Sequence, residues 1–284
     1  MLPSSGTSRC VVTATFPDGP EIKLPAGDVT EGVVRIGTTV RRPHQETSEG
    51  VAAYLLHLEQ AGFDGAPRYL GRDAQGRDVL TFIDGDVPGD PVEPWAARDE
   101  LLPSVGALLR RLHDASEGWQ PPVPMGRAPV PGRPAPVMPE GEPQLIAQRD
   151  VTPQNTVFRD GVAVAVVDFD LSASTTRSID LANTAMHWVP LKDPSDRDPA
   201  FDGIDVARRV RLMLDAYGRD AVSVERFLEA AQLRFDAGYA PMKWNAENLG
   251  GGWKRMWDEG VGDVILRRAE WFRSVRDDLS RELQ

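Results

Sequence analysis

The chain has 284 residues, 41% hydrophobic and 26% charged, the composition of an ordinary globular protein long enough to bury its own core. Its 32 Lys and Arg stand against 43 Asp and Glu, a formal net charge of −11, which argues against broad binding to nucleic acid or to an anionic membrane. A single cysteine, Cys10, excludes a disulfide framework and a multi-cysteine zinc site. Residues 1–20 lack the pattern of a signal peptide, and no apolar run nears the roughly 20 residues of a membrane span. The expectation is a cytoplasmic protein.

Strand patterns come first. Residues 10–16, 21–24, 32–36 and 38–42 alternate or run apolar between Gly and Pro turns. Residues 47–62 repeat Val51, Leu55 and Leu58 at helical spacing. Two further strands are expected at 69–71 and 78–83, with Gln75-Gly76 between them. The first part therefore reads as a small antiparallel sheet with one helix. From about residue 95 the chain turns helical. Leu102, Val105, Leu108, Leu109 and Leu112 form an amphipathic stripe within 99–116. A Pro-rich stretch over 119–143 is expected to be extended. Short strands follow near 145–147, 156–158 and 162–167, then helices at 206–216, 222–239 and 261–283, with Gly250-Gly251-Gly252 as a break.

The chemistry concentrates in Gln148-Arg149-Asp150-Val151-Thr152-Pro153-Gln154-Asn155 and in Val166-Val167-Asp168-Phe169-Asp170. An Asp followed five residues later by Asn suits phosphoryl transfer: the carboxylate orients a hydroxyl and takes its proton, and the amide oxygen ligates Mg²⁺. Asp160-Gly161 between apolar runs is a hairpin signal, and the hairpin returns Asp168 towards Asp150. Asp168 then adds a second hard oxygen donor. No Gly-x-x-x-x-Gly-Lys-Ser/Thr, Gly-x-Ser-x-Gly or His-Glu-x-x-His occurs, and His44, His57, His113 and His187 are isolated from one another.

With Ser178-Ile179-Asp180-Leu181-Ala182, these residues resemble the aminoglycoside phosphotransferase-like group of kinase-fold enzymes, the aminoglycoside phosphotransferase and choline kinase type, over nearly the whole chain. The resemblance implies an α+β, bilobal protein-kinase-like fold, with a nucleotide-binding lobe over 1–84 and a helical lobe over 85–284. It implies Asp150 as base, Asn155 and Asp168 on Mg²⁺, and Asp180 bracing the catalytic loop. The nucleotide base would meet the connector around Phe82 and Asp84. Arg41 on its strand would contact the phosphates of ATP, with Arg42 as the alternate one register away. Three positions depart from the group. Gln148 stands where a His is usual, the helix Glu that pairs with the strand cation is not evident (Glu49 is nearest, Glu46 further off), and residues 27–32 hold only two glycines.

The implied activity is an ATP- and Mg²⁺-dependent phosphotransferase acting on a hydroxyl of a small molecule of antibiotic or natural-product type. The other reading is a kinase-fold binding or scaffold protein in a peptide- or natural-product-modifying pathway. Asp193, Asp196, Asp198, Asp202 and Asp205 cluster in one segment, and the expectation they raise is a cationic acceptor.

Overall fold

A computed structural model gives the structure of the chain and describes residues 16, 18–24, 32–89, 91–126 and 130–284. Apart from Phe16 and Gly32, the strand expected over 10–16 and the glycine loop over 27–32 lie outside the described residues, as does Cys10. The chain divides into two compact units. The first comprises residues 1–45 and 69–82, the second residues 46–68 and 83–284.

The first unit is an antiparallel sheet in the order β1-β2-β3-β5-β4, from β1 (Ile22–Lys23), β2 (Val34–Ile36), β3 (Thr39–Arg42), β4 (Tyr69–Arg72) and β5 (Asp78–Thr81). Gly37, at φ 60°, makes the two-residue turn between β2 and β3, where a left-handed residue matches the twist of the strands. The β4–β5 turn is closed by Asp73, whose Oδ1 accepts from the backbone N–H of Gln75 at 3.0 Å and of Arg77 at 2.9 Å. Val34, Ile36, Val79 and Leu80 are buried. The pairing of Arg41 with Val79 and of Arg42 with Asp78 fixes the register, and with a period of two the arginines stand on opposite faces.

The second unit holds the helices. An expected boundary at residue 84 puts α1 (Ser48–Gln60) with the sheet, but the contacts group it with the helical unit. The reason is Tyr54. Its fully buried hydroxyl donates to the carbonyl of Ile146 at 2.9 Å and lies 2.6 Å from Ser116 Oγ. His57 and Tyr54 also stack on Trp119, with centroids at 4.7 and 5.3 Å, which pins the start of the Pro-rich stretch. That stretch contains no helix or strand among its described residues.

Helix α2 (Leu102–Ser116) begins with the first residue of its apolar stripe rather than at residue 99, because Pro103 cannot sit in a helix interior. Residues Asp99–Leu101 form a 3₁₀ lead-in instead. Strands β6 (Gln144–Ala147) and β9 (Ala173–Thr176) pair, as do β7 (Thr156–Arg159) and β8 (Val162–Val166). The polar Ala-Ser-Thr-Thr of β9 carries no strand pattern, and only its partner β6 reveals it. Asp160 and Gly161, at φ 51° and 75°, form the β7–β8 turn, as the Asp-Gly signal predicts.

Helices α3 (Arg177–Trp188), α4 (Val206–Tyr217) and α5 (Val224–Asp236) start at Thr176, Asp205 and Ser223, whose side-chain oxygens accept from the first-turn N–H groups. The helix expected to run to residue 239 stops at Asp236, and α6 (Tyr239–Asn248), α7 (Gly251–Asp258) and α8 (Val261–Leu283) follow. Gly250 and Gly260, both at positive φ, punctuate the last three. The buried Arg209 ties α4 to its neighbours, donating to Ala97 O at 2.6 Å, Asp99 Oδ1 at 2.5 Å and Trp188 O at 2.7 Å. No helix among the described residues is long and apolar enough to cross a membrane.

Helices α2 and α4 approach most closely at Gly106, where an added Cβ would lie 2.7 Å from the carbonyl oxygen of Met213. That atom is backbone and cannot rotate away. Gly106→Ala should therefore cost about 1–3 kcal/mol of stability despite its better helix propensity, read from denaturant midpoints. A more stable variant would contradict this packing.

Candidate active site

The residues singled out between 148 and 170 come together, and the first of them organises the rest. Gln148 is fully buried. Its side-chain oxygen accepts from the Asp150 N–H at 2.6 Å. Its amide nitrogen donates to the carbonyls of Val167 at 3.1 Å and Asp168 at 2.6 Å. One side chain thus fastens the loop carrying Asp150 to the strand end carrying Asp168. A buried group with both a donor and an acceptor is needed, and Gln supplies them as a His ring would. The departure from His at this position leaves the clamp intact.

Asn155 completes the pairing. Its Nδ2 donates to the Asp150 carbonyl at 3.0 Å and to its carboxylate Oδ2 at 2.8 Å. The backbone of Asn155 accepts from the Val167 N–H at 2.8 Å, so Asn155 and Asp168 sit on neighbouring backbones. Turning the nitrogen to Asp150 commits the amide's orientation and leaves Oδ1 as its accepting oxygen. Asn155 Oδ1 and the Asp168 carboxylate are hard oxygens of the kind Mg²⁺ takes when phosphates and water complete its shell. No group of three or more His, Cys, Asp or Glu able to hold a metal occurs among the described residues.

Backbone strain marks the same place. Arg149 and Asp168 adopt φ 68° and 56°, a left-handed conformation that costs a non-Gly residue about 1–2 kcal/mol. The surrounding bonds hold them there. Asn183 Nδ2, on α3, donates to the Arg149 carbonyl at 2.8 Å, and Trp188 Nε1 donates to the Val151 carbonyl at 3.0 Å. These two braces were not legible in the sequence, since a helix-interior Asn and Trp carry no motif. Asp180, expected to brace the loop, is buried against His113, with Nε2 to Oδ2 at 3.0 Å, and His113 Nδ1 meets the Tyr217 hydroxyl at 2.8 Å.

The remaining expected residues each have contacts of their own. Arg41 donates to Thr39 Oγ1, lies 3.5 Å from Asp73 Oδ2 and sits over the Phe16 ring at 5.2 Å. Arg42 is buried on the opposite face of β3. Phe82 donates its N–H to the Thr38 carbonyl at 2.8 Å and carries the Arg35 guanidinium on its ring at 3.7 Å. Asp84 is exposed, and its carbonyl accepts from Arg159 Nε at 2.8 Å. Glu49 is in the first turn of α1.

The aspartates of 193–205 do not form a free acidic rim. Asp193 accepts from the Ser195 N–H and hydroxyl, and Asp196 binds Arg267. Asp198 accepts from the Ala200 and Val92 N–H groups, and Asp205 caps α4. Capping and ion pairing thus engage four of the five carboxylates, and Asp202 is exposed.

The fold is that of the aminoglycoside phosphotransferases and choline kinases. A choline/ethanolamine kinase family protein from Mesorhizobium loti superposes with a TM-score of 0.55, covering 93% of this chain and 91% of its own at 16% identity. A gentamicin–APH(2″)-IIa complex gives 0.54 over 89% and 93% at 13% identity. An amicoumacin kinase in complex with AMP-PNP, Ca²⁺ and amicoumacin gives 0.55 over 91% and 88% at 12% identity. No family model matches the chain. In sequence, the trifolitoxin immunity protein of Rhizobium leguminosarum bv. trifolii is 31% identical over 278 residues, 93% of this chain and 98% of that protein, and the chain belongs to its family.

The clamp can be broken at one residue. Gln148→Ala strands the Asp150 N–H and two carbonyls, and should cost about 2–4 kcal/mol. Gln148→His keeps one donor and one acceptor and should lie between Ala and the wild type in thermal unfolding. Equal stability of the Ala variant and the wild type would show that the three bonds do not hold the loop.

Proposed function

We propose that the chain is a phosphotransferase that moves the γ-phosphoryl group of ATP to a hydroxyl of a small toxin or antibiotic, and so protects the cell that makes or meets it. The observation that carries this reading is the Asp150 carboxylate, oriented by Asn155 at 2.8 Å and tied through Gln148 to Asp168. The immunity role of the 31% identical relative supports a toxin as target. The fold neighbours bound to gentamicin and to amicoumacin support a small-molecule acceptor. The neighbours complexed with GDP and with AMP-PNP support a nucleotide donor. On this reading the protein works in the cytoplasm, where ATP is supplied.

In this mechanism Asp150 orients the acceptor hydroxyl and takes its proton as the new O–P bond forms. The bond from the γ-phosphorus to the bridging oxygen breaks, and ADP leaves with that electron pair. Asn155 and Asp168 would hold Mg²⁺, which supplies charge neutralisation on the phosphates when bound. The fixed Asn155–Asp150 pair keeps the carboxylate aimed, so little reorganisation is needed at the moment of transfer. The phosphate cation belongs to the β3 pair. Since Arg41 is drawn to Asp73, its register alternate Arg42 is the side chain to test beside it. Phe82 and Asp84, on the segment after β5, are proposed to receive the nucleotide base through their backbone.

A second reading, in which a catalytically silent protein sequesters the toxin, also suits an immunity protein. Asp150→Asn separates the two. Transfer should cost about 10²–10⁴-fold in rate on this substitution, and protection of a sensitive strain should vanish with it. Protection that survives Asp150→Asn would establish sequestration.

The nucleotide can be tested without the acceptor. Calorimetric titration should show ATP binding that depends on Mg²⁺ and is lost in Asp168→Asn. Arg41→Ala and Arg42→Ala should each be compared in the same titration, and the one that loses more affinity is the phosphate contact. Unchanged binding in Asp168→Asn would remove that residue from the metal site.

A further inference from the structure

Three consecutive residues of the loop, Arg149, Asp150 and Val151, are held from outside the sequence motif by helix α3. Asn183 Nδ2 donates to the Arg149 carbonyl at 2.8 Å, and Trp188 Nε1 donates to the Val151 carbonyl at 3.0 Å. Both donors are buried, Trp188 fully. Their separation of five residues corresponds to about 7.5 Å of helix. Two residues of chain span at most about 7 Å. The spacings match, so the segment lies along α3 and runs in its direction, with one carbonyl to each donor. The carbonyl between them turns the other way. Asp150 O accepts from the Thr152 N–H at 2.8 Å and from Asn155 Nδ2 at 3.0 Å, and its carboxylate Oδ2 accepts from the same Nδ2 at 2.8 Å. The helix thus takes the two flanking carbonyls, and Asn155 takes the aspartate itself.

The first of these bonds acts on a peptide that is already gripped. The Arg149 carbonyl and the Asp150 N–H are the two ends of one planar group. Gln148 Oε1 holds the N–H end at 2.6 Å, and Asn183 holds the carbonyl end. A plate fastened at both edges cannot turn about the line joining its Cα atoms. That turn would change ψ of Arg149 and φ of Asp150 together, so two side chains set both angles. Arg149 needs the restraint, because its φ of 68° is left-handed without a glycine. Helix α3 is itself fixed in place. Thr176 caps it, Glu142 accepts from the Ser178 N–H at 2.9 Å, and Asp180 meets His113 at 3.0 Å. The buried Arg209 donates to the Trp188 carbonyl at 2.7 Å, so the residue that holds Val151 by its ring is held by its own backbone. A donor on such a helix places its acceptor more closely than a donor on a second loop would.

We propose that Asn183 and Trp188 are positioning residues of the phosphoryl transfer: they set the backbone on each side of Asp150 and so aim its carboxylate at the acceptor hydroxyl. The inference rests on the phosphotransferase reading for Asp150 as base. Both residues act through the loop rather than on the reacting atoms. Their effect belongs to the step in which the hydroxyl proton is taken, whereas the proposed donors to Mg·ATP are Asn155 and Asp168. Misplacing a reacting group by about 1 Å costs about 10²-fold in rate. Loss of either bond should therefore lower turnover and leave nucleotide affinity alone.

The test uses the full chain and three variants. Asn183→Leu keeps the side-chain size and removes the donor, and Trp188→Phe removes the indole N–H. Ala185→Gly, on the same helix between them, weakens α3 without altering either bond. Slow hydrolysis of Mg·ATP, with water in place of the acceptor, gives kcat and KM. Both donor variants should lose about 10–100-fold in kcat with KM within about twofold of wild type. Ala185→Gly should keep the wild-type kcat while its melting temperature falls. Amide hydrogen exchange at Asp150, followed by NMR, should quicken about tenfold or more in Asn183→Leu, since the far end of its peptide is released. An unchanged kcat, a KM that rises in step with the fall in kcat, or the same fall in Ala185→Gly would reduce the two residues to structural support and overturn the proposal. Unchanged exchange at Asp150 would overturn the clamp directly. Wild type that binds Mg·ATP and hydrolyses none would count against the transfer reading, and the exchange measurement then decides the bracing alone.

Discussion

One buried amide, that of Gln148, holds the candidate active site together. Two strained backbones, at Arg149 and Asp168, are held close so that the residues of the 148–155 loop and Asp168 come together in one site. Each would relax if released, because neither residue is a glycine. Gln148 prevents this with three bonds of 2.6–3.1 Å made from a fully buried position. Asn183 and Trp188 then fix the far side of the loop from α3. The loop is consequently over-determined, which is the condition under which strain persists in a folded protein.

Much of this was legible because the chemistry is local in sequence. Asp150, Asn155 and Asp168 carry fixed spacings, and Asp160-Gly161 announces the turn that folds Asp168 back. The helix stripe of α2 and the strands of the sheet were legible through their periods. What was not legible depends on residues far apart. Strand β9 is polar and exists only because β6 needs a partner. Helix α1 reads as part of the sheet by sequence order, yet the Tyr54 hydroxyl commits it to the helical unit. Helix α5 stops at Asp236, before Gly238, which has ordinary negative φ, whereas Gly250 and Gly260, at positive φ, separate the helices that follow. The brace from Trp188 has no signature because an indole N–H finds its carbonyl only after the chain has folded.

Charge illustrates the limit of composition most clearly. A net charge of −11 and a row of aspartates suggest attraction for cations. The structure engages Asp193, Asp198 and Asp205 in backbone N–H bonds and Asp196 in an ion pair with Arg267. Long-range potential reflects the total, but a small ligand senses the few charges within a Debye length. The sign of a binding site is a property of placement rather than of counts.

The stacking of Trp119 between His57 and Tyr54 has a mechanical consequence. Residues 130–132 and 135–136 of the Pro-rich stretch are exposed and carry no helix or strand. Elements on either side are joined by contacts independent of that stretch: α2 packs on α4 at Gly106, and Tyr54 bonds the β6 backbone at Ile146. A protease that severs the chain there would produce two fragments still joined through these contacts of the second unit. The same site would accept an inserted tag, or serve as the split point of a two-piece protein that reassembles when its halves are co-expressed.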